Sequence, residues 1–299
     1  MAAEELQILR KLLNPLPQYV LGCFPAIAII GESPMSKFTE KFTWVLRCLG
    51  CPFSGLFYSL NVGNKEVSRC IYWLSVDYFK VKKDMEISYQ KPQYRPFAKA
   101  SVLERLSSLV SAYYIVVGVT AGISMTTGPI VCEGWAYIPL LLSWTFPAIW
   151  KRGFSGILVV KDPKKVFENT KIYLDGYSTD EIRTSKRATV TMTALLSIVY
   201  PWITVFLVYF TPPVGYFCRS KYITIICSIW SFNSALAYLC HIRGERNLYN
   251  LYEILHIWYF ICGIIIAILL VVLGLFTGNN KWWVDVFGDS CDMAHIGCV

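Results

Sequence analysis

Charged residues are scarce in this chain, since Asp, Glu, Lys and Arg make up only 16% of its 299 residues. Soluble globular proteins usually carry about 25%. The charges that are present cluster in a few stretches and leave long segments that contain none. A water-soluble domain has no use for several such segments, so this distribution excludes an ordinary soluble protein.

Histidine and the common catalytic motifs are also scarce. The chain has three histidines, His241, His256 and His295, and it contains neither a glycine-rich phosphate-binding loop nor a His-Glu-x-x-His pattern. A metal centre or an acid–base enzyme is hard to assemble from this set of residues. The sequence therefore predicts no enzyme, no bound metal and no cofactor.

Hydrophobic residues are abundant, at 55% of the chain. A transmembrane helix needs about 20 mostly apolar residues to cross the hydrocarbon layer. Four uncharged segments meet this requirement, at 106–128, 188–211, 222–242 and 257–280, and a fifth, 134–150, is shorter at 17 residues but lies in the allowed range. The sequence predicts an all-α, polytopic transmembrane helix bundle with these five spans, in a membrane that it does not identify.

The N-terminal region, residues 1–105, contains two weaker apolar segments. Residues 16–31 are uncharged but short, and residues 42–60 are apolar except for Arg47. Both segments can cross the membrane, which would give seven spans, or they can form a re-entrant hairpin together. The first 15 residues carry a leucine-rich apolar stripe at helical spacing, which predicts a helix on the membrane surface. Residues 106–299 then form the five-span bundle.

Lys and Arg are distributed unequally between alternate loops, and such residues stay preferentially on the cytoplasmic side. Residues 61–105, 151–187 and 243–256 carry 20 of them, against 3 in the opposite loops and tail. We therefore expect the first set to face the cytoplasm and an anionic lipid leaflet, and the C-terminal tail to lie outside. No compact basic domain is present, so the charge does not indicate nucleic-acid binding.

Four of the eleven cysteines fall on the predicted outer side, namely Cys132, Cys218, Cys291 and Cys298. Disulfides persist in that oxidising space. A bridge from Cys218 to Cys291 would tie the last helical hairpin to the C-terminal tail. Four cysteines allow three pairings, so the sequence leaves the connectivity open.

Polar residues inside the spans are functional candidates, because they are costly to bury in lipid. Asn233 lies mid-span, where it can hydrogen-bond a neighbouring helix or line a polar route with Thr191, Thr193 and Ser197. Glu133 lies at the outer mouth of the second span. The interiors of the five spans contain no Asp or Glu, which disfavours ion-coupled transport.

Small residues and prolines indicate how the helices pack. Gly118 and Gly122 form a small-xxx-small motif that lets helix backbones approach closely; packing within the chain is the main interpretation, and a homo-oligomer is the alternative. Turn residues after spans one and three predict two antiparallel helix pairs. Pro139, Pro147 and Pro201 are expected to interrupt helices.

One cytoplasmic loop contains two short β-prone runs, at 157–160 and 171–174. Together they predict a small hairpin or a half-ordered loop.

Three segments resemble a group of uncharacterised multi-pass membrane proteins of fungi. They are 211–233, with Thr-Pro-Pro-Val-Gly-Tyr-Phe-Cys-Arg-Ser-Lys at its beginning, 132–139, with Cys-Glu-Gly-Trp-Ala-Tyr-Ile-Pro, and 281–289, with Lys-Trp-Trp-Val-Asp-Val-Phe-Gly-Asp. The resemblance covers about residues 105–295. It implies a multi-pass membrane protein and no particular chemistry.

The sequence therefore favours a non-enzymatic membrane sensor or scaffold with a basic cytoplasmic face. The alternative is a channel or transporter for a small solute, using the kinked helices and the region around Asn233. The sequence specifies neither a ligand nor a protein partner.

Overall fold

The computed structural model describes residues 38–61, 97–99, 102–127, 137–155, 157–160, 181–211, 215–243, 249–276 and 280–288. The predicted features that lie outside the described residues are the surface helix of the first 15 residues, the segment 16–31, Cys132, Glu133, the β-prone run 171–174, Cys291 and Cys298.

Helices account for almost all of the described residues, which confirms the predicted helical class. In chain order they are α1 (Phe38–Gly50), α2 (Pro52–Asn61), α3 (Val102–Thr127), α4 (Ile138–Leu141), a 3₁₀ turn (Leu142–Thr145), α5 (Phe146–Ser155), α6 (Glu181–Phe210), α7 (Cys218–Arg243), α8 (Tyr249–Phe276) and α9 (Asn280–Phe287).

Three described helices are long and apolar enough to cross a bilayer. The apolar stretches are Val190–Phe210 in α6, Cys218–Cys240 in α7 and Ile254–Phe276 in α8. They coincide with three of the five predicted spans and indicate a helical membrane protein. The full count of five spans is not confirmed, because the apolar part of α3 is shorter, at Arg105–Thr120, and the segment predicted at 134–150 is not one helix.

The segment predicted as the second span is divided by its prolines. Pro139 lies in the first turn of α4 and Pro147 in the first turn of α5, with the 3₁₀ turn between them. Proline has no N–H to donate, so it is accommodated at the beginning of a helix and breaks a helix elsewhere. Pro201 differs from this expectation, because α6 continues through it; membrane helices tolerate proline where neighbouring groups bond the freed backbone.

The two predicted antiparallel pairs are confirmed. Arg105 at the beginning of α3 donates to the carbonyl of Gly153 at the end of α5, while Gly118 lies against Pro139. In the second pair, Thr191 of α6 pairs with Tyr238 of α7, and the thiol of Cys227 donates to the carbonyl of Pro201, so residue numbers rise along one helix as they fall along the other.

A short sheet joins two segments that are expected on the cytoplasmic side. Strand β1 (Phe97–Lys99) pairs antiparallel with β2 (Ile157–Val160), with Phe97 opposite Val160. The strand at 157–160 was predicted, but its partner was predicted at 171–174. The structure pairs it instead with a segment that precedes α3, because the antiparallel packing of α3 on α5 brings the two helix ends together.

Large side chains fill the centre of the bundle and apolar side chains cover its outside. Trp44, Trp230 and Tyr259 are fully buried, whereas residues such as Phe206 and Ile268 are more than half exposed. In water such surfaces would be a liability. They suit a surrounding of lipid, in which an apolar exterior carries no cost.

Candidate functional site

The candidate site is the break between α1 and α2. Helix α1 ends at Gly50, Cys51 lies between the two helices, and α2 begins at Pro52. The last carbonyls of one helix and the first N–H groups of the next have no intrahelical partners at such a break. In a low-dielectric interior those groups need other partners.

Helix α7 supplies the donors for the exposed carbonyls. The indole nitrogen of Trp230 donates to the carbonyl of Leu49 at 2.6 Å, and the amide nitrogen of Asn233 donates to the carbonyl of Gly50 at 2.7 Å. The two donors are three residues apart and so lie on one face of α7.

The same face also supplies an acceptor for α2. The hydroxyl oxygen of Ser234 accepts the backbone N–H of Phe53 at 3.3 Å. The thiol of Cys51 lies 3.2 Å from the hydroxyl of Ser54 and donates weakly to the carbonyl of Asn233 at 3.6 Å. Side chains from one neighbouring helix therefore bond groups on both sides of the break.

Helix α8 completes the arrangement. The indole nitrogen of Trp258 donates to the amide oxygen of Asn233 at 2.8 Å. Asn233 is fully buried, and its amide uses both its oxygen and its nitrogen. It joins α1, α7 and α8, which suits a structural joint better than a reactive group.

Close backbone packing holds α1 against α8. A Cβ atom added at Gly50 would lie 2.0 Å from the carbonyl oxygen of Tyr259, and one added at Gly263 would lie 1.9 Å from that of Leu46. These contacts show that α1 and α8 run antiparallel, because residue numbers rise along one helix as they fall along the other. Only glycine permits this approach.

Two of the three hydroxyl groups predicted to line a polar route, those of Ser197 and Thr191, bond nearby groups. Ser197 is buried and donates to the carbonyl of Ala194, while Thr191 is exposed and pairs with Tyr238. Thr193 is buried on the same helix as Ser197. The described hydrogen bonds do not connect these residues to Asn233.

A second polar cluster lies at the predicted outer end. Tyr137 has a φ of 54°, an unusual value for a residue other than glycine. Its hydroxyl hydrogen-bonds Thr211 and lies near the guanidinium of Arg219. Glu133, the predicted candidate in this region, lies outside the described residues.

Cys218 begins α7 and is buried, and it is disulfide-bonded. Its predicted partner, Cys291, lies outside the described residues, so this pairing remains a prediction. Five other described cysteines are buried and form no disulfide, namely Cys48, Cys51, Cys227, Cys240 and Cys262.

Gly118 packs within the chain. A Cβ atom added there would lie 2.2 Å from the Cβ of Pro139, so this part of the motif faces α4 and not the outside. The surroundings of Gly122 are not among the described side chains.

Three residues of the break were missed by sequence reasoning: Trp230, Ser234 and Trp258. The available signal was a tryptophan in the middle of a span, since tryptophan in membrane helices prefers the interfaces. Among the described residues, no group of three or more His, Cys, Asp or Glu side chains could hold a metal ion.

Comparison with known proteins gives no relative: no family model matches the chain, and neither a curated protein nor a solved structure is significantly similar to it.

Proposed function

We propose that this chain is a non-enzymatic membrane sensor or scaffold. The observation that supports this function is the closed helix break, in which Trp230, Asn233 and Ser234 bond the backbone groups freed at residues 49–53. A substrate or ion could use those groups only after displacing side chains that already bond them. Such a centre favours a fixed shape over a site for chemistry or permeation.

The proposal includes the direction in which residues 38–61 cross the membrane. Along α1 and α2 the contacts move towards the expected cytoplasmic side as the residue number rises. Leu46 lies beside Gly263 and Gly50 beside Tyr259, and the carbonyl of Leu60 accepts from Lys151. Lys151 belongs to the loop expected on the cytoplasmic side. Residues 38–61 would therefore cross the membrane as one broken helix that begins outside.

The two segmented helices then complete an alternating path. The broken helix 38–61, the segment 138–155 and α7 each cross from the outside to the cytoplasm. Helices α3, α6 and α8 each cross back to the outside between or after them. This order agrees with the basic residues on the cytoplasmic side and with six crossings from residue 38 onward. If residues 16–31 also cross, the total is seven, the larger of the two numbers that the sequence predicts.

The cytoplasmic surface supports the scaffold part of the proposal. The strands β1 and β2 join the two loops that carry most of the Lys and Arg residues, which would hold both against an anionic leaflet. The fungal group that the sequence resembles is consistent with this proposal and adds no chemistry to it.

A channel or transporter is the second candidate, and the helix break itself favours it. Discontinuous helices near the membrane centre form the binding sites of many secondary transporters, where unwound backbone carbonyls coordinate ions. Here the carbonyls of Leu49 and Gly50 would become available if α7 moved away from α1.

A flux assay separates the two candidates. The purified chain is reconstituted into liposomes, and the fluxes of K⁺, Na⁺, Cl⁻, protons and small uncharged solutes are compared with those of protein-free liposomes. The scaffold function predicts background flux for all of them. Flux well above background that Asn233→Leu abolishes, while the variant retains its elution volume and helical content, would establish the transporter instead.

A further inference from the structure

A strip of aromatic rings runs along α5 beside α3. The ring centroids of Phe146 and Trp150 lie 5.8 Å apart, and those of Trp150 and Phe154 lie 4.2 Å apart. Phe146 packs against a small cluster that includes Ala112 and Ile115 of α3, whereas Trp150 and Phe154 are 52% and 58% exposed. The strip therefore follows the seam between the two helices and turns its rings to the surroundings of the protein.

The strip has nearly the length of one lipid leaflet. Eight positions separate Phe146 from Phe154, which correspond to about 12 Å along a helix. One leaflet contributes half of the roughly 30 Å hydrocarbon layer. In the topology proposed above, the end of α5 lies at the cytoplasmic boundary. An acyl chain of a lipid in the cytoplasmic leaflet would therefore lie along the whole strip.

A guanidinium group lies at the end of the strip. The Nε of Arg105 donates to the carbonyl of Gly153 at 3.0 Å, and its Nη2 donates to the carbonyl of Phe154 at 3.4 Å. These bonds hold an exposed side chain in one position, so a ligand does not have to order it on binding. A guanidinium has five N–H groups, and three of those on Arg105 have no acceptor among the residues that the structure describes.

The charge of the sequence around this end of the strip favours an anion. Lys151 and Arg152 immediately precede Gly153 on α5, and Glu104 is the only acidic residue in 91–110 and 134–161. A guanidinium fork matches two oxygens of a phosphate. The cytoplasmic leaflet carries anionic phospholipids, so a phosphate-bearing headgroup of that leaflet fits the remaining N–H groups of Arg105.

We propose that the seam between α3 and α5 binds phosphatidylserine, with the phosphate on Arg105 and one acyl chain along the strip. The carboxylate of this headgroup is a second anion for the basic end of α5. Its ammonium group has the exposed ring of Phe154 as a partner, since aromatic faces attract cations. Phosphatidylcholine lacks the carboxylate, and phosphatidylinositol lacks the ammonium group, so neither lipid matches the whole arrangement.

This binding deepens the scaffold function proposed above, because it names a membrane partner, and it rests on that function and its topology. The failure of one is distinguishable from the failure of the other. Flux above background would overturn the scaffold and leave the lipid site untouched, whereas the labelling experiment below bears on the lipid site alone.

Photolabelling with three headgroups on one acyl chain tests the proposal. The full chain is reconstituted in phosphatidylcholine vesicles that contain, in separate arms, a phosphatidylserine, a phosphatidylinositol or a phosphatidylcholine with the same diazirine-bearing acyl chain. Labelled positions are identified by peptide mass spectrometry. We expect the phosphatidylserine probe to label 105–113 and 146–154 saturably and more strongly than either other probe, with competition by unlabelled phosphatidylserine.

A pair of charge variants provides the first matched control. Arg105→Gln removes the guanidinium and should reduce labelling by the phosphatidylserine probe about fivefold. Lys221→Gln removes an exposed cation at the predicted outer end and should leave this labelling unchanged. Thermal unfolding of each variant shows whether it is folded.

A pair of ring variants provides the second control. Phe154→Leu removes the last ring of the strip but keeps the carbonyl that accepts from Arg105, and it should reduce the labelling about threefold, as the loss of an exposed cation–π contact does. Phe206→Leu removes a ring of similar exposure, 62%, from α6. This variant should label as the unchanged protein does.

Three results would overturn the proposal. One is labelling by the phosphatidylserine probe that is spread evenly over the cytoplasmic ends of all helices, since this indicates a general attraction to the basic loops. Another is equal saturable labelling by the phosphatidylinositol or phosphatidylcholine probe. The third is equal labelling of Arg105→Gln and Lys221→Gln, or, if Arg105→Gln does not fold, equal labelling of Phe154→Leu and Phe206→Leu.

Discussion

The side-chain amide of Asn233 donates a hydrogen bond to the backbone carbonyl of Gly50 at 2.7 Å, although 183 positions separate the two residues in the sequence. Gly50 is the last residue of α1, so its carbonyl cannot be bonded within that helix. In a membrane no water is available to replace the missing donor. Together with the Trp230 bond to the carbonyl of Leu49, this contact lets α1 end inside the bundle.

Replacing Asn233 should destabilise the fold. Asn233→Leu removes the donor to Gly50 and the acceptor for the Trp258 indole, leaving buried groups without partners. A buried polar group that loses its partner costs about 1–3 kcal/mol, and we expect a loss of unfolding free energy in that range. The measurement is unfolding in detergent, followed by a thiol-reactive dye that reports exposure of the buried thiols.

The control for this variant is Phe232→Leu. Phe232 adjoins Asn233 on the same helix but is 61% exposed, so its replacement by the same residue should change stability little. Equal stability of the Asn233 and Phe232 variants would contradict the role of Asn233 as a joint between helices.

Glycine positions in α8 should differ sharply in their tolerance of a methyl group. In Gly263→Ala the new Cβ would lie 1.9 Å from the backbone oxygen of Leu46, whereas in Gly274→Ala it would meet only the end of the Ile138 side chain at 3.2 Å. Backbone cannot yield as a side chain can. We expect Gly263→Ala to lose folded protein or several degrees of melting temperature, and Gly274→Ala to remain close to the unchanged protein.

Melting of both variants in the same detergent gives the comparison. If Gly263→Ala melts at the same temperature as Gly274→Ala, α1 and α8 are not in backbone contact. Gly50→Ala provides an independent check, because its Cβ would meet the oxygen of Tyr259 at 2.0 Å from the other side of the interface.

The sequence predicts α6, α7 and α8 well because crossing a bilayer is a local requirement: an uncharged stretch must be long enough on its own. Pro139 and Pro147 likewise indicated interruptions, since proline acts on its own backbone. The break at Cys51 was not predictable in this way. Its stability depends on Trp230 and Asn233, which lie about 180 positions away. The residues around position 51 do not predict those partners.

The candidate site was predicted only in part for the same reason. Asn233 was identified because a polar residue in an apolar span is conspicuous. Its hydrogen bond to a neighbouring helix was also anticipated, but the identity of that helix was not. The pairing of β2 with β1, and not with 171–174, again depends on how α3 and α5 pack.

The predicted disulfide between Cys218 and Cys291 has a direct chemical test. Non-reducing mass spectrometry of protein from its native membrane should recover a peptide pair that joins these two positions and disappears on reduction. Since a disulfide typically contributes about 2–4 kcal/mol, reduction should also lower the unfolding temperature. Recovery of Cys218 joined to another cysteine, or of Cys291 as a free thiol, would contradict the pairing.

The direction in which residues 38–61 cross the membrane decides between six crossings from residue 38 onward and a smaller number. Phe38 is 80% exposed at the beginning of α1, and Phe154 is 58% exposed near the end of α5. In intact cells or sealed vesicles of native orientation, an impermeant thiol reagent should modify Phe38→Cys from outside. It should modify Phe154→Cys only after permeabilisation, because Phe154 adjoins the basic loop expected in the cytoplasm. Peptide mass spectrometry at each engineered position separates these signals from those of the native cysteines. Modification of Phe38→Cys only after permeabilisation would make 38–61 a re-entrant segment, because both of its ends would then share the cytoplasmic side with Lys151.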